Sequence, residues 1–256
     1  MPACTVSNLP KGMRMNDRNT TLPPALRRAL ELLADPPTKP EVSNGYLDLL
    51  DAGLPTGTPR VEAVFASPIG SAVYDNVQAR MRRLFSALQQ PTEWLNIPAG
   101  GIALDVGCGP GTVTASLARA AGPGALTLGL DISEAMLARA VRAEAGPQIG
   151  FLRADAQQLP LRDGTVDAVV SIAVLQLVPD PAAALAEMAR VLRAGGRLAA
   201  MVPTAGWAAR FWRLLPKVGA HLFGEDEIGD ILEDHGFTSV RTNNFGTLQW
   251  LRAKRG

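Results

Sequence analysis

Leu104-Asp105-Val106-Gly107-Cys108-Gly109-Pro110-Gly111-Thr112 is the stretch on which the reading of this chain turns. An apolar run, Ile102 to Val106, enters three alternating glycines and leaves into a helical pattern from Thr112 to Ala121. An ordinary tight turn needs one glycine. Alternating glycines leave the backbone free of side chains, so a ligand can lie against the turn while the unpaired N–H groups of the following helix face its polar end. A nucleotide-like ligand is implied, with Cys108 simply fitting the turn.

Outward from this turn, short apolar runs alternate with helical patterns, the rhythm of strand-helix-strand units and a parallel sheet. Strands are expected at 102–106, 125–130, 149–153, 166–172 and 197–202. Their unbroken apolarity suits strands covered on both faces. Helices are expected from Thr112 to Ala121, from Ser133 to Glu144 and from Pro181 to Arg193. For the last of these, Asp180 is a cap, Pro181 fits the first turn, Leu185, Met188 and Leu192 form an apolar stripe, and Gly195 is the stop. A helix from about Glu225 to His235 follows, with His235 interacting with its C-terminal dipole. The tail reads as a hairpin turning near Asn243 to Gly246 and added to the sheet edge.

Dinucleotide enzymes also carry a glycine-rich turn after their first strand, spaced G-x-G-x-x-G. Here Gly107, Gly109 and Gly111 give G-x-G-x-G. Asp105, two residues before the first glycine, would face the pyrophosphate of a dinucleotide, but could help hold the cationic amino group of a methionine moiety. The charge argues against NAD and for S-adenosylmethionine. An NAD(P)-dependent oxidoreductase would also need a catalytic Tyr-Lys or similar pair, and none is found. A non-catalytic module that keeps the cofactor site is the other alternative.

Asp105 to Gly111 resembles motif I of the class I methyltransferases, especially the small-molecule, type 11 branch that includes the quinone-biosynthesis C-methyltransferases. The resemblance runs from about residue 100 to the C-terminus. It implies an α/β, Rossmann-like fold: a seven-stranded, mostly parallel sheet with an antiparallel C-terminal hairpin strand, helices on both faces and an N-terminal helical lid. It implies S-adenosylmethionine as cofactor and a small-molecule methyl acceptor, here hydrophobic or aromatic. GLDISEAML, 129–137, places Asp131 where a carboxylate can accept from vicinal ribose hydroxyls, with Ile132 beside it and Ser133 as a helix cap. FLRADAQQLPLRDGTVDAVVS, 151–171, places Asp155 where the family's carboxylate accepts from the adenine amino group, and Ala156 where a backbone N–H donates to a ring nitrogen. VDAVVSIAVLQLVPDP, 166–181, resembles the strand and loop beside the donor methyl, with Ser171 and Ile172 near the methionine part. Many relatives carry a His where Gln176 stands, so a role tied to that imidazole is absent.

The 256 residues are 47% hydrophobic with a formal net charge of +1. That balance argues against a large electrostatic footprint for nucleic acid, and Arg80, Arg82 and Arg83 read as a solvated helix face. An Asn-Pro-Pro-aromatic motif is lacking, which argues against methylation of base amino groups. Cys4, Cys108, His221 and His235 have no metal-site spacing, so no structural metal is expected. The first 20 residues contain no apolar signal-like run and no later segment is long enough for a membrane span, so a cytoplasmic protein is expected.

Residues 1–20 are polar and expected to be disordered. Residues 21–99 read as a helical region or lid: a helix from Leu22 to Ala34, a break at 35–40, a short helical pattern near Tyr46 to Leu50 and a longer one from about Ser71 to Leu88. In relatives this region folds over the cofactor, which makes Tyr74 a candidate acceptor contact. Residues 100–256 form the cofactor-binding core. Within it, 203–224 is aromatic-rich and falls where the family inserts its substrate cover, making Trp207, Phe211, Trp212 and His221 acceptor-facing candidates. No general base is placed by motif.

Overall fold

A computed structural model describes residues 22–42, 44–50, 92–204, 221, 223–246 and 248–256. In chain order the elements are α1 (Pro24–Leu30), β1 (Leu47–Asp48), α2 (Thr92–Leu95), β2 (Ile102–Val106), α3 (Thr112–Ala121), β3 (Leu126–Asp131), α4 (Glu134–Glu144), β4 (Ile149–Arg153), β5 (Val166–Ile172), a 3-10 turn (Leu175–Leu177), α5 (Pro181–Val191), β6 (Leu192–Pro203), α6 (Glu227–Asp234), β7 (Phe237–Phe245) and β8 (Leu248–Arg255). The strands form one sheet in the order β1-β4-β3-β2-β5-β6-β8-β7. β8 runs against both of its neighbours, and the strands from β1 to β6 pair in parallel.

The alternation of side chains along a strand sends successive residues to opposite faces. Leu104, Val106, Leu128, Leu130, Val169 and Leu198 pack under α1, α5 and α6. Ala103, Ala168, Val170 and Ala199 meet Leu95 of α2 and Leu117 of α3. Phe151 and Cys108 meet Leu137 and Ala140 of α4. Both faces are thus covered, which is why the central strands are apolar without interruption. The caps at Ser133 and Asp180 form as expected: Ser133 Oγ accepts the Met136 N–H at 3.4 Å and Asp180 Oδ1 accepts the Ala183 N–H at 3.0 Å.

Four expectations need correction. The sheet has eight strands rather than seven. The eighth is β1, in the stretch around Tyr46 to Leu50 that was expected to be helical. There Tyr46 packs against the α4 cluster and Leu47 enters the larger core on the other face, a period of two rather than 3.6. The first helix is shorter than expected, Pro24–Leu30, and buries Ala25, Leu26 and Ala29 against the sheet. Finally, α5 ends at Val191, because Leu192 already pairs with Val166 in β6, and Gly195 lies inside an irregular strand start instead of stopping the helix. The regions 1–20 and 71–88, Arg80, Arg82, Arg83 and Cys4 lie outside the described residues. Among the described residues no helix is long and apolar enough to cross a membrane.

Arg153 ties β1 to the start of α4. Its Nη1 lies 3.0 Å from Asp48 Oδ2 and 2.8 Å from Glu134 Oε1, and its Nε donates to the Ile132 carbonyl at 3.2 Å. The side chains of Arg153 and Asp48 are 13% and 27% exposed, so this pair is partly shielded from solvent, whereas Glu134 is too exposed to add much. Replacing Arg153 with Met is expected to lower stability by about 1–2 kcal/mol in urea unfolding. Hydrogen exchange at the Leu49 amide, which donates to the Arg153 carbonyl, should accelerate first. An unchanged Leu49 rate would show that β1 is held without this cation.

Candidate functional site

The chain lays down β2, β3 and β4 in one direction, then returns to place β5 on the other side of β2. Strand order therefore reverses between β2 and β5, and a crevice opens outside their carboxyl ends. The glycine turn leaves β2 at this point. Gly107, Gly109 and Gly111 have φ values of 74°, 51° and 84°, the left-handed region that glycine alone enters without strain. A Cβ on Gly107 would stand 2.1 Å from Val174 Cγ2, so the loop after β5 rests directly on the turn. The Gly107 and Cys108 N–H groups both donate to the Leu130 carbonyl, at 2.7 and 2.9 Å, tying the turn to β3.

Asp131, at the end of β3, braces the same turn. Its Oδ2 accepts the Gly109 N–H at 2.8 Å and its Oδ1 accepts the Ser133 N–H at 2.9 Å. Each oxygen keeps acceptor capacity beyond that bond, and the residue is only half-buried. Burial pushes its carboxyl up from the ordinary value, against the lowering effect of the Ser133, Gly109 and Ile132 amides.

Asp105 lies deeper, fully buried on β2, with Oδ2 accepting the Thr114 hydroxyl at 2.6 Å. Burial pushes its pKa to about 7; the Thr114 hydrogen bond opposes the rise and the charge of Asp131 adds to it. Cys108, buried between these carboxylates, has its thiol pushed well up, by burial first and then by Asp131 and Asp105. It is an inert packing residue at neutral pH.

Asp155 follows β4. Its Oδ1 accepts the Gln157 backbone N–H at 2.8 Å, and the Gln157 amide nitrogen lies 3.1 Å from each carboxylate oxygen. Asp155, Ala156 and Ile132 are all partly exposed. The ends of β2, β3 and β4 thus bring Asp105, Asp131, Asp155 and the three glycines to one edge of the sheet. Ser171 lies next to the end of β5 but is fully buried, and its hydroxyl has no hydrogen-bond partner among the described residues. Among the described residues, no group of three or more His, Cys, Asp or Glu could hold a metal.

Of the acceptor-side candidates, Tyr74, Trp207, Phe211 and Trp212 lie outside the described residues. His221 is described and exposed. Its N–H donates to the Gln176 carbonyl at 2.8 Å, which ties it to the 3-10 turn after β5. Its Nε2 lies 2.7 Å from Glu227 Oε1, and Glu227 Oε2 accepts the Gly224 N–H at 2.8 Å. Burial would raise the Glu227 carboxyl, but the Gly224 amide and His221 outweigh it and the net shift is downward. Gln176 is itself buried, its amide donating to the Ala173 carbonyl at 2.7 Å and its Oε1 without a partner among the described residues. His235 stands at the C-terminal end of α6, as expected.

Sequence reasoning missed Thr114, Gln157 and Glu227. Gln157 had a signal, since Asp side chains commonly accept the backbone N–H two residues on. Thr114 and Glu227 had none, because each meets its partner only through the fold.

The raised pKa of Asp105 makes stability depend on pH. An acid at about 7 in the folded chain and 3.8 unfolded holds its proton more tightly when folded. Its burial therefore costs nothing below about 3.8, costs progressively more as pH rises, and is fully felt above about 7. Asp105→Asn is expected to flatten the fall in stability between pH 4 and 8, leaving a residual slope from Asp131, as measured by urea unfolding across that range. A variant with the same slope as the parent would show that Asp105 is ionised throughout.

The comparisons with known proteins agree with this geometry. A family described as a methyltransferase domain, type 11, matches residues 104–200, from the glycine turn to the middle of β6. The chain is 43% identical over 105 residues to a demethylmenaquinone methyltransferase from Bacillus licheniformis, covering 41% of this chain and 45% of that one. It is 34% identical over 142 residues to a 2-phytyl-1,4-naphtoquinone methyltransferase from Thermosynechococcus vestitus, covering 54% and 62%. These matches span less than two thirds of the relatives' own length. Among solved structures, a Thermotoga maritima S-adenosylmethionine-dependent methyltransferase, described as a possible histamine N-methyltransferase, aligns with a TM-score of 0.60 at 21% identity, covering 76% of this chain and 99% of that one. Magnesium protoporphyrin IX methyltransferase from Synechocystis, solved with bound S-adenosylhomocysteine, aligns at 0.54 and 24%, covering 77% and 93%. Turn, acids, strand order and matched domain converge: residues 104–200 match a methyltransferase domain, and the chain has the fold of S-adenosylmethionine-dependent methyltransferases.

Proposed function

We propose that this chain transfers a methyl group from S-adenosylmethionine to a small, largely hydrophobic or aromatic acceptor. The observation that carries the proposal is the positive-φ glycine turn braced by Asp131 at the carboxyl ends of β2 and β3. Asp131 would accept from the ribose hydroxyls. Asp155 and the Ala156 amide would receive the adenine edge, and the loop carrying Ser171 and Ile172 would flank the methionine part. Asp105, beneath the turn, supplies negative charge for the amino group of the methionine moiety, a cation that would favour its ionised form.

When bound, the cofactor supplies a sulfonium whose methyl is already electrophilic. The chain's own task is to align an incoming nucleophile and to keep water away. An acceptor that carries an O–H or N–H must also lose a proton. Among the described residues His221 is the one imidazole at this edge, oriented through Nε2 by Glu227, which leaves Nδ1 to receive that proton. A cover within 203–224, with Tyr74 of the N-terminal region and Trp207 and Phe211, would enclose the acceptor. This is supported by the bridge between Thr204 and Phe223, which fixes both ends of the stretch at the carboxyl end of β6. Apolar, aromatic lining with few polar anchors is typical of such sites.

Calorimetry tests the cofactor half. The protein is expected to bind S-adenosylmethionine and S-adenosylhomocysteine and not NAD; tight NAD binding without a response to S-adenosylhomocysteine would refute the proposal. Asp131→Asn, whose amide can accept only one of the two N–H groups that brace the turn, should weaken S-adenosylhomocysteine by about 1.5–3 kcal/mol, on the order of 10- to 150-fold.

The catalytic half is tested by His221→Ala, assayed with labelled donor against a panel of phenols, hydroquinones and polyketides. Turnover should fall on the order of 100-fold or more while S-adenosylhomocysteine affinity stays within about twofold. Unchanged turnover would return His221 to the role of a surface ion-pair partner.

A further inference from the structure

Gln157 is the polar side chain at the crevice to which neither the family's motifs nor the proposed reaction gives a role. It reaches in two directions at once. Its amide nitrogen lies 3.1 Å from both Asp155 oxygens, and its own backbone N–H donates to Asp155 Oδ1 at 2.8 Å. Its Oε1 accepts the Asp180 N–H at 2.9 Å. Asp180 in turn caps α5, and that helix holds the rest of the loop after β4: Glu187 Oε2 accepts the Leu159 N–H at 2.8 Å, and Arg190 donates to the Leu159 and Leu161 carbonyls at 2.9 and 2.8 Å.

A carboxylate oxygen accepts about two hydrogen bonds comfortably. Gln157 supplies two to Asp155 Oδ1 and shares one with Oδ2, so the free acceptor capacity of Asp155 is concentrated on Oδ2 and the carboxylate plane is fixed. The orientation of Gln157 is itself fixed, because a flipped amide would set its oxygen against the carboxylate and its nitrogen against the Asp180 N–H.

We infer that Gln157 is a positioning residue that turns Asp155 Oδ2 toward the purine, and so determines that the crevice takes a 6-amino rather than a 6-oxo purine nucleoside. The inference rests on the adenosyl reading of the crevice given above. A carboxylate held in one orientation rewards an N–H donor at that position and repels a carbonyl oxygen, whereas a freely rotating one can turn away from the mismatch. Gln157 therefore sets selectivity by holding Asp155, without touching the ligand.

The test compares S-adenosylhomocysteine with S-inosylhomocysteine, which carries a carbonyl where adenine carries its amino group. The unaltered protein should prefer the adenosyl compound on the order of 10- to 100-fold in calorimetry. Gln157→Glu keeps the length and the acceptor for the Asp180 N–H but removes the side-chain donor to Asp155; Gln157→Met removes both side-chain bonds, and in each the backbone N–H of residue 157 still reaches Asp155 Oδ1. In each variant the preference is expected to shrink to about fivefold or less, mostly through loss of S-adenosylhomocysteine affinity, with S-inosylhomocysteine changing less than about threefold. Preference retained in Gln157→Glu, or both ligands weakened by one common factor in Gln157→Met, would overturn the inference and leave Gln157 a structural latch. Binding of neither compound to the unaltered protein is a different result, and would overturn the adenosyl reading of the crevice itself.

Discussion

The carboxylate of Asp131 sits between two backbone amides, 2.8 Å from the Gly109 nitrogen and 2.9 Å from that of Ser133. Through the first bond it fixes the middle of the glycine turn, and through the second it fixes the entry to α4. The turn can take that shape only because its three glycines accept positive φ, and the Leu130 carbonyl completes the tie by accepting from Gly107 and Cys108. The shape of the turn is thus set by the chain's own hydrogen bonds and backbone conformation.

The same constraint explains the electrostatics. Two carboxylates, Asp105 and Asp131, are drawn toward a low-dielectric edge, and both are harder to ionise than in water because of it. On the proposed reading, a dinucleotide would bring two phosphates to this turn, whereas S-adenosylmethionine would bring an ammonium and a sulfonium beside a single carboxylate, a net positive charge that would favour the ionised acids.

The fold was legible wherever one period ran long enough. The runs around β2, β3, β4 and β5, the helices α3 and α4 and the hairpin appear within a residue or two of where their patterns put them. The failures are equally physical. β1 is two residues long and exists because Arg153 and β4 offer it an edge, a tertiary reason that no five-residue window contains. Helix α5 has a stripe that runs through Leu192, but strand pairing with Val166 takes that residue first. At the site, Asp105, Asp131 and Asp155 were visible because motif spacing fixes them. The Thr114 bond to Asp105, the Glu227 pairing with His221 and the Gln157 bridge from Asp155 to Asp180 join residues whose nearness depends on the fold or on a side-chain orientation. Ser171 was placed by its motif at the right strand end, yet its hydroxyl is buried there.

The most direct test of the proposed adenosyl site is a crystal structure of the protein with S-adenosylhomocysteine. The account predicts the ligand in the crevice outside β2 and β5, with the ribose hydroxyls on Asp131, the adenine amino group on Asp155 Oδ2, and the Asp131 to Gly109 bond retained. A ligand bound elsewhere, or a glycine turn that must open and release Asp131 to admit it, would contradict that account.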